Sequence, residues 1–530
     1  MLHTTTARRG MVTAPHHLAT QAGLRVLQDD GNAVEAMIAT AATIAVVYPH
    51  MNGLGGDNFW LIHEPGKRVR GIDACGAAAA KADIDFYAGQ GHTKLIPSRG
   101  PLAALTVAGA VSGWYAAHRI SAEWGGKLSL ERLLEDATYY AEHGHSVTPS
   151  QAVNTAAKMG EMGGSPGFSD LYLQSGGAPS VGDVFKLTAL AQTLRRLARD
   201  GLDGFYRGEL ARAIAADLAK VGSPLAAGDL ERHHALNLDP LSVKVGDHTV
   251  FNMPPPTQGL ASQIILAVYQ RLGVAEAEGF DFVHGLVEST KQAFRVRDKY
   301  VTDPAYMTVN PNSFLENAAL DKMAAGVNRA RAAPWPDASG DSDTVWFGCI
   351  DGEGRAVSLI QSLYWEFGSG VVLPETGITW QNRGTSFQLN DAAVNALKPG
   401  RRPFHTIQPA MAQLADGRTM VYGTMGGEGQ PQTQAMVFSR HVLHEMDLQQ
   451  SVTAPRWLLG RTWGAEKTNL RIENRFDPVV LDALKAAGHD VEIVGPFEEF
   501  MGHAGAIVRH SSGLLEGAGD PRSDGGVAGF

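Results

Sequence analysis

Cysteine is nearly absent from this sequence. Only Cys75 and Cys349 occur in 530 residues, which excludes a disulfide framework and a cysteine-based zinc site. A basic excess is missing too: 45 Lys and Arg face 55 Asp and Glu, for a formal net charge of −10, and no Lys/Arg cluster stands out. Nucleic-acid surfaces carry the opposite balance, so no nucleic-acid partner is expected. Long apolar runs are also lacking. The longest, around "AMIATAATIAVV", falls short of the roughly 20 residues a membrane span needs and reads as a buried helix, so no membrane partner is expected. The initial "MLHTTTARRGMVTAPHHLATQAG" has two arginines but no apolar core of about 7 to 15 residues behind them, which argues against a secretory signal and for a cytoplasmic location. Neither a low-complexity linker nor a repeat of fixed period divides the chain, although length alone sets a prior of roughly three or four domains.

What is present falls into two regimes. Up to about residue 330 helical patterns dominate. "HHLATQAGLRVLQDD" stops at Gly31-Asn32, and "AVEAMIATAATIAVV" follows as an almost wholly apolar helix. "SLERLLEDATYYAEHG" opens on Ser129 as N-cap, closes on Gly144 and sets Leu130, Leu133, Leu134 and Ala137 on one face. "TALAQTLRRLARDG" and "ELARAIAADLAKVG" share that spacing and the glycine stops, so amphipathic helices against one core are predicted. From about residue 342 the period shortens: "TVWFGCI", "AVSLIQSLY" and "MAQLADGRTMVYGT" are β-branched and aromatic runs punctuated by Asp351-Gly352, Glu353-Gly354 and Asp416-Gly417. Between the regimes, "RAAPWPDASGDSD" from Arg331 has the composition of an exposed flexible loop.

Thr344 stands on the seam between that acidic loop and the first strand-like run. One reading is a strand beginning after a turn. The other is a nucleophile released by cleavage of the Asp343–Thr344 bond. A threonine hydroxyl needs a base, and an N-terminal threonine supplies its own in the free α-amine, whose pKa of about 7.7 to 8 leaves a useful neutral fraction at cellular pH.

Several stretches together carry a family resemblance: "GLGGDNFWLI" (53–62), "TVWFGCIDGEGRAVSLIQSLY" (344–364), "FGSGVVLPETGI" (367–378), "GTMGGEG" (423–429) and "GAGDPRSDG" (517–525). The chain resembles the γ-glutamyltransferase family of N-terminal-nucleophile hydrolases, along nearly its whole length and in the family's order. The resemblance implies an α+β fold, a four-layer αββα sandwich, and an autocleaved proenzyme with a large chain 1–343 and a small chain 344–530 folded as one domain. It implies Thr344 as nucleophile, Ser362 as the hydroxyl that hydrogen-bonds it, and the N–H groups of Gly426 and Gly427 as oxyanion donors. Glycine suits that last role because backbone approaches a ligand most closely without a Cβ. The partners implied are the two chains of one precursor, paired and in some members dimerised again.

Departures from the family pattern bear on the substrate. Cys75 stands where the family places an arginine for the substrate α-carboxylate, Ser386 where it places an aspartate for the α-amine, Tyr364 where it places an asparagine, and His405 and Thr406 where it places two serines. On this reading no acid remains to pair a substrate ammonium. Arg383 offers a bidentate clamp for a carboxylate, against the alternative of a surface or loop-bracing arginine; Arg99 is a second such cation. The site residues expected to hold substrate are therefore Arg383, Tyr364, His405, Thr406 and Ser386. They suit an amide whose acyl part is a plain acid; within the family, "MVTAPHHLATQAG" and "AVVYPHMNGLGGDNFWLI" resemble the branch of purine-ring degradation, which implies a small acidic amide such as oxamate, hydrolysed to oxalate and ammonia. A γ-glutamyl hydrolase or transferase, a glutaryl-type cephalosporin acylase and an uncleaved binding protein of the same fold are the alternatives. His16, His17, His50 and His63 show no metal-ligand spacing with acids, and neither metal nor organic cofactor is expected.

Overall fold

A computed structural model describes residues 3–335, 343–460 and 468–530 of the chain. Two seven-stranded sheets stack on each other. The first runs in the order Gly526–Gly529, Gly10–Ala14, Asp343–Asp351, Ala356–Tyr364, Asp57–His63, Arg70–Ala74, Leu236–Leu238. The second runs Thr5–Ala7, Leu515–Gly519, Gly505–Arg509, Thr419–Gly423, Ala410–Gln413, His248–Asn252, Leu241–Val245. All neighbours in both are antiparallel. Between the sheets, Met11, Phe59, Trp346 and Ile360 meet Met411, Val421 and Ile507 in a buried apolar layer.

Helices cover both outer faces, completing the αββα sandwich. The helix Ala33–Val47 lies on the first sheet with all fifteen residues buried, as its apolar sequence predicts. Its start is held by a reciprocal cap: Asn32 Oδ1 accepts from the N–H groups of Val34 and Glu35, and Glu35 Oε2 accepts from Asn32 N at 2.9 Å. On the second sheet lie Gly259–Leu272, Phe280–Tyr300 and Gly429–Phe438. The single core expected from the helix patterns is thus three apolar clusters, since four stacked layers have three interfaces. The helix expected from Ser129 to Gly144 is capped by Ser129 as predicted but breaks at Leu134 into Leu130–Leu133 and Glu135–His143. No helix among the described residues is long and apolar enough to cross a membrane.

The first sheet also explains why strands went unread in the helix-rich part. Asp57–His63 and Gly10–Ala14 are buried at every position, so the alternation of a half-exposed strand is absent from their sequences. The strand that begins at Asp343 is central, flanked by Gly10–Ala14 and Ala356–Tyr364; the latter in turn pairs with Asp57–His63. Residues 1–343 and 344–530 therefore alternate within one sheet. A chain cut before Thr344 is expected to stay one particle: its two fragments should co-elute in size-exclusion chromatography under native conditions and part only in denaturant. Dissociation in plain buffer would contradict this topology.

Candidate active site

Thr344 sits where the ladder is disturbed. Asp343 pairs with Tyr364 and Val345 with Gln361, so the register slips at Thr344 and takes it out of regular pairing. Its side chain is fully buried, and Thr344 Oγ1 donates to Ser362 Oγ at 3.1 Å. Ser362 Oγ also accepts from the N–H of Tyr364 at 2.8 Å. That local hydrogen bond accompanies a left-handed backbone at Tyr364, φ 86°, a conformation costing a non-glycine residue about 1–3 kcal/mol and concentrated at functional sites.

Tyr364 leads to the cation. The Arg383 guanidinium lies over the Tyr364 ring, 3.7 Å from its centre, and Nη1 donates to Thr406 Oγ1 at 3.3 Å. Arg383 heads the short 3-10 turn Arg383–Ser386 and is only 1% exposed, which removes the surface-arginine reading. Burial lowers its pKa to about 10, and Nη2 has no hydrogen-bond partner among the described residues. Ser386, on the same turn, likewise has a buried Oγ without a partner. His405, next to Thr406, is wholly buried; desolvation holds its pKa well below the ordinary value, so the ring is neutral. Cys75 is close enough to Arg383 for the two to interact electrostatically, and it lines a cavity of about 720 Å³ together with Val107, Asp303 and Arg402.

Gly426 and Gly427 occupy the turn between the strand Thr419–Gly423 and the helix Gly429–Phe438. Their φ values, 110° and 54°, are ones that side-chain-bearing residues seldom adopt. Neither N–H donates to another group among the described residues. The turn also precedes a helix N-terminus, whose partial positive charge favours an anion. One side chain ties this turn to the rest of the site: Gln258 Nε2 donates to Thr406 O at 2.6 Å and to Gly427 O at 2.8 Å. Gln258 is oriented in turn by buried Arg297, which donates to Gln258 Oε1 at 3.0 Å and to Glu428 at 3.1 Å.

Some expectations need correction. Asp57, unremarked in the sequence, is a fully buried acid in this site, so the expectation that no acid remains fails. It pairs across the sheet with Ser362, and its Oδ1 accepts from the N–H groups of Gly109 and Gly76 at 2.9 and 3.1 Å. The preceding glycines make that closeness feasible, since a Cβ on Gly56 would overlap the Ser362 carbonyl. Arg99 is largely engaged: it donates to the carbonyls of Glu366 and Gly368, pairs with Glu161 at 2.7 Å and stacks on Trp365, which leaves only Nη2 without a hydrogen-bond partner among the described residues. Of the loop expected to be exposed and flexible, residues 336–342 and the Asp343 side chain lie outside the described residues. The preceding stretch is pinned, with Ala332 N donating to Ala487 O and Lys291 Nζ to Ala333 O. Elsewhere, His284, Glu288 and His489 lie together, but they engage one another, Asn328 and Lys291.

The architecture, with a threonine at a bulge heading a central strand, is the αββα sandwich of the N-terminal-nucleophile hydrolases. The chain belongs to the gamma-glutamyltranspeptidase family, whose model matches residues 19–530. Oxamate amidohydrolase proenzyme of Klebsiella pneumoniae subsp. pneumoniae is 54% identical over 522 residues, 98% of each chain. The glutathione hydrolase-like YwrD proenzyme of Bacillus subtilis is 39% identical over 523 residues, again 98% of each. Among solved structures, cephalosporin acylase from Bacillus halodurans superposes with a TM-score of 0.91 at 33% identity, covering 100% of this chain and 97% of that one.

Proposed function

We propose that this chain cuts itself before Thr344 and then hydrolyses a small acidic amide, with oxamate as the favoured substrate and oxalate and ammonia as products. The observation that carries the reading is Arg383: a buried guanidinium with a donor to spare, connected to the threonine through Ser362 and Tyr364. A buried cation of this kind calls for an anionic ligand, because an uncompensated charge in the interior costs several kcal/mol. The 54% identical oxamate amidohydrolase proenzyme supports the same choice.

In the mechanism, the substrate carboxylate rests on Arg383 and the amide carbon faces Thr344. The freed α-amine takes the Oγ proton as Oγ attacks, and the N–H groups of Gly426 and Gly427 hold the oxyanion; losing one such donor typically costs about 2.7–4 kcal/mol of transition-state stabilisation. The amine returns its proton to the departing ammonia. Water, activated by the same amine, then hydrolyses the acyl ester.

One observation favours a second reading. Asp57 offers an acid to a substrate ammonium, as a γ-glutamyl compound would require, and the YwrD relative carries a glutathione hydrolase-like name. The two are separated by ammonia release from oxamate measured beside amine release from a γ-glutamyl anilide and a glutaryl amide. We expect kcat/KM to be highest for oxamate. Preference for the γ-glutamyl anilide would overturn the proposed substrate, and no turnover of any amide by a cleaved chain would favour a binding role.

A further inference from the structure

A second buried polar feature, Asp57, lies within electrostatic reach of Arg383. Asp57 is 1% exposed, its Oδ1 is committed to two backbone N–H groups, and its Oδ2, with the Gln381 side chain near it, makes no hydrogen bond of ordinary length among the described residues. His405 Nε2 stands 3.6 Å from Oδ2, and both ring nitrogens of His405 also lack partners. Arg383 is near enough for its charge to stabilise the Asp57 carboxylate, yet the two are not in contact as an ion pair among the described residues. Arg383 Nη2, Asp57 Oδ2, the His405 ring and Ser386 Oγ are thus buried polar groups that the protein leaves for something else to satisfy.

We propose that Asp57 is a specificity-determining residue of this pocket: it binds the substrate as the neutral acid and donates a hydrogen bond to the carboxylate that Arg383 holds, so that each anion bound takes up one proton. The inference rests on the acidic-amide reading above. Two carboxylates brought together in a buried site share a proton, because they cannot both remain ionised there. The protein has already prepared this state. Burial raises Asp57 to about 7, opposed by Arg383, the two backbone N–H groups and Gln381. The other ionisable groups that face it do not supply the proton: His405 is held neutral by desolvation, Cys75 stays a thiol because burial raises its pKa well above the usual value, and Tyr206 is held protonated by burial. Near neutral pH, protonating Asp57 thus costs little, and the arriving anion completes it.

The sign follows. Above the Asp57 pKa the free enzyme must recover a proton to bind, so once the Thr344 α-amine is also neutral, above about pH 8, kcat/KM for an anionic amide should fall about tenfold per pH unit. The α-amine of Thr344 governs the opposite limb, since it must be neutral to act as a base.

The test uses the processed wild type and Asp57→Asn, whose amide reproduces the shape and donor character of the neutral acid. The alkaline fall in kcat/KM for oxamate should be present in the wild type and absent in Asp57→Asn, whatever the height of the variant's plateau. Oxalate serves as a turnover-independent probe: calorimetry at pH 8 in buffers of different ionisation enthalpy should show close to one proton taken up per oxalate by the wild type and none by Asp57→Asn. An alkaline limb that survives in the variant, or oxalate binding to the wild type without proton uptake, overturns the proposal. Failure of oxamate turnover with oxalate-linked proton uptake intact would instead overturn the substrate and leave the role of Asp57 standing. Tighter binding of a γ-glutamyl zwitterion to the wild type than to Asp57→Asn would mean that the ionised acid is the working form, and would also overturn it.

Discussion

Thr344→Ala is expected to accumulate as one uncut chain of 530 residues and to release no measurable ammonia, a loss on the order of 10⁵- to 10⁶-fold as for removal of other catalytic nucleophiles. Both losses trace to one atom. Cleavage needs Oγ1 to attack the Asp343 carbonyl before any free amine exists, and turnover needs the same oxygen, now with the amine beside it, to attack the substrate. The geometry is compatible with the first step: the bulge takes Thr344 out of the ladder, and Ser362 Oγ, 3.1 Å away, orients the hydroxyl. Thr344→Ser keeps a hydroxyl and should still cut, more slowly, because serine lacks the methyl group that restricts the threonine rotamer. Denaturing electrophoresis with N-terminal sequencing of the smaller band reads the first effect, and an ammonia assay reads the second. A band beginning at residue 344 in Thr344→Ala would assign the cut to another protease and remove the central premise.

How far the sequence carried this picture depended on the range of the interaction. Local patterns were legible: the Ala33–Val47 helix, although Gly31-Asn32 read as the stop of the helix before it and not as a cap, and the strands around Asp351-Gly352 and Asp416-Gly417. The buried strand Asp57–His63 was not, because residues covered on both faces lose the two-residue period. Of the site, Thr344 stood out by its place on the seam between the acidic loop and a strand-like run, whereas Ser362 and the Gly426-Gly427 turn stood out only through the family resemblance, since each alone is an ordinary strand or turn residue. Asp57 lay inside "GLGGDNFWLI", one of the stretches that carry the resemblance, but nothing in the sequence singled it out as a site residue. Its position in the site comes from cross-strand pairing with Ser362, about 300 residues away, and sequence order says nothing of such pairing. Gln258 and Arg297 escaped for the same reason: Arg297 in "AFRVRDKY" reads as one more surface charge on a helix, whereas the fold buries it against Glu428 and Gln258.

Arg383 carries the second large effect. Removing one partner of a buried charge pair costs about 2–5 kcal/mol, so Arg383→Ala should lower kcat/KM for an acidic amide by about 30- to 5000-fold. The loss should appear mainly in KM, because the carboxylate is held before and during reaction. Autocleavage should continue, since Thr344 and Ser362 are unchanged. Alanine, however, also leaves a cavity beneath the Tyr364 ring, from which the guanidinium is 3.7 Å away, and could disturb the pocket by packing alone. Arg383→Met keeps most of the volume and tests the charge separately. The decisive quantity is a ratio: wild type should prefer oxamate over its uncharged methyl ester, and in Arg383→Met that preference should collapse. If the variant still favours the anion by the wild-type factor, the carboxylate is held elsewhere. Arg383→Lys should recover part of the preference, because an ammonium restores the charge but neither the planar stacking on Tyr364 nor the second donor that the unpartnered Nη2 now holds out to the pocket.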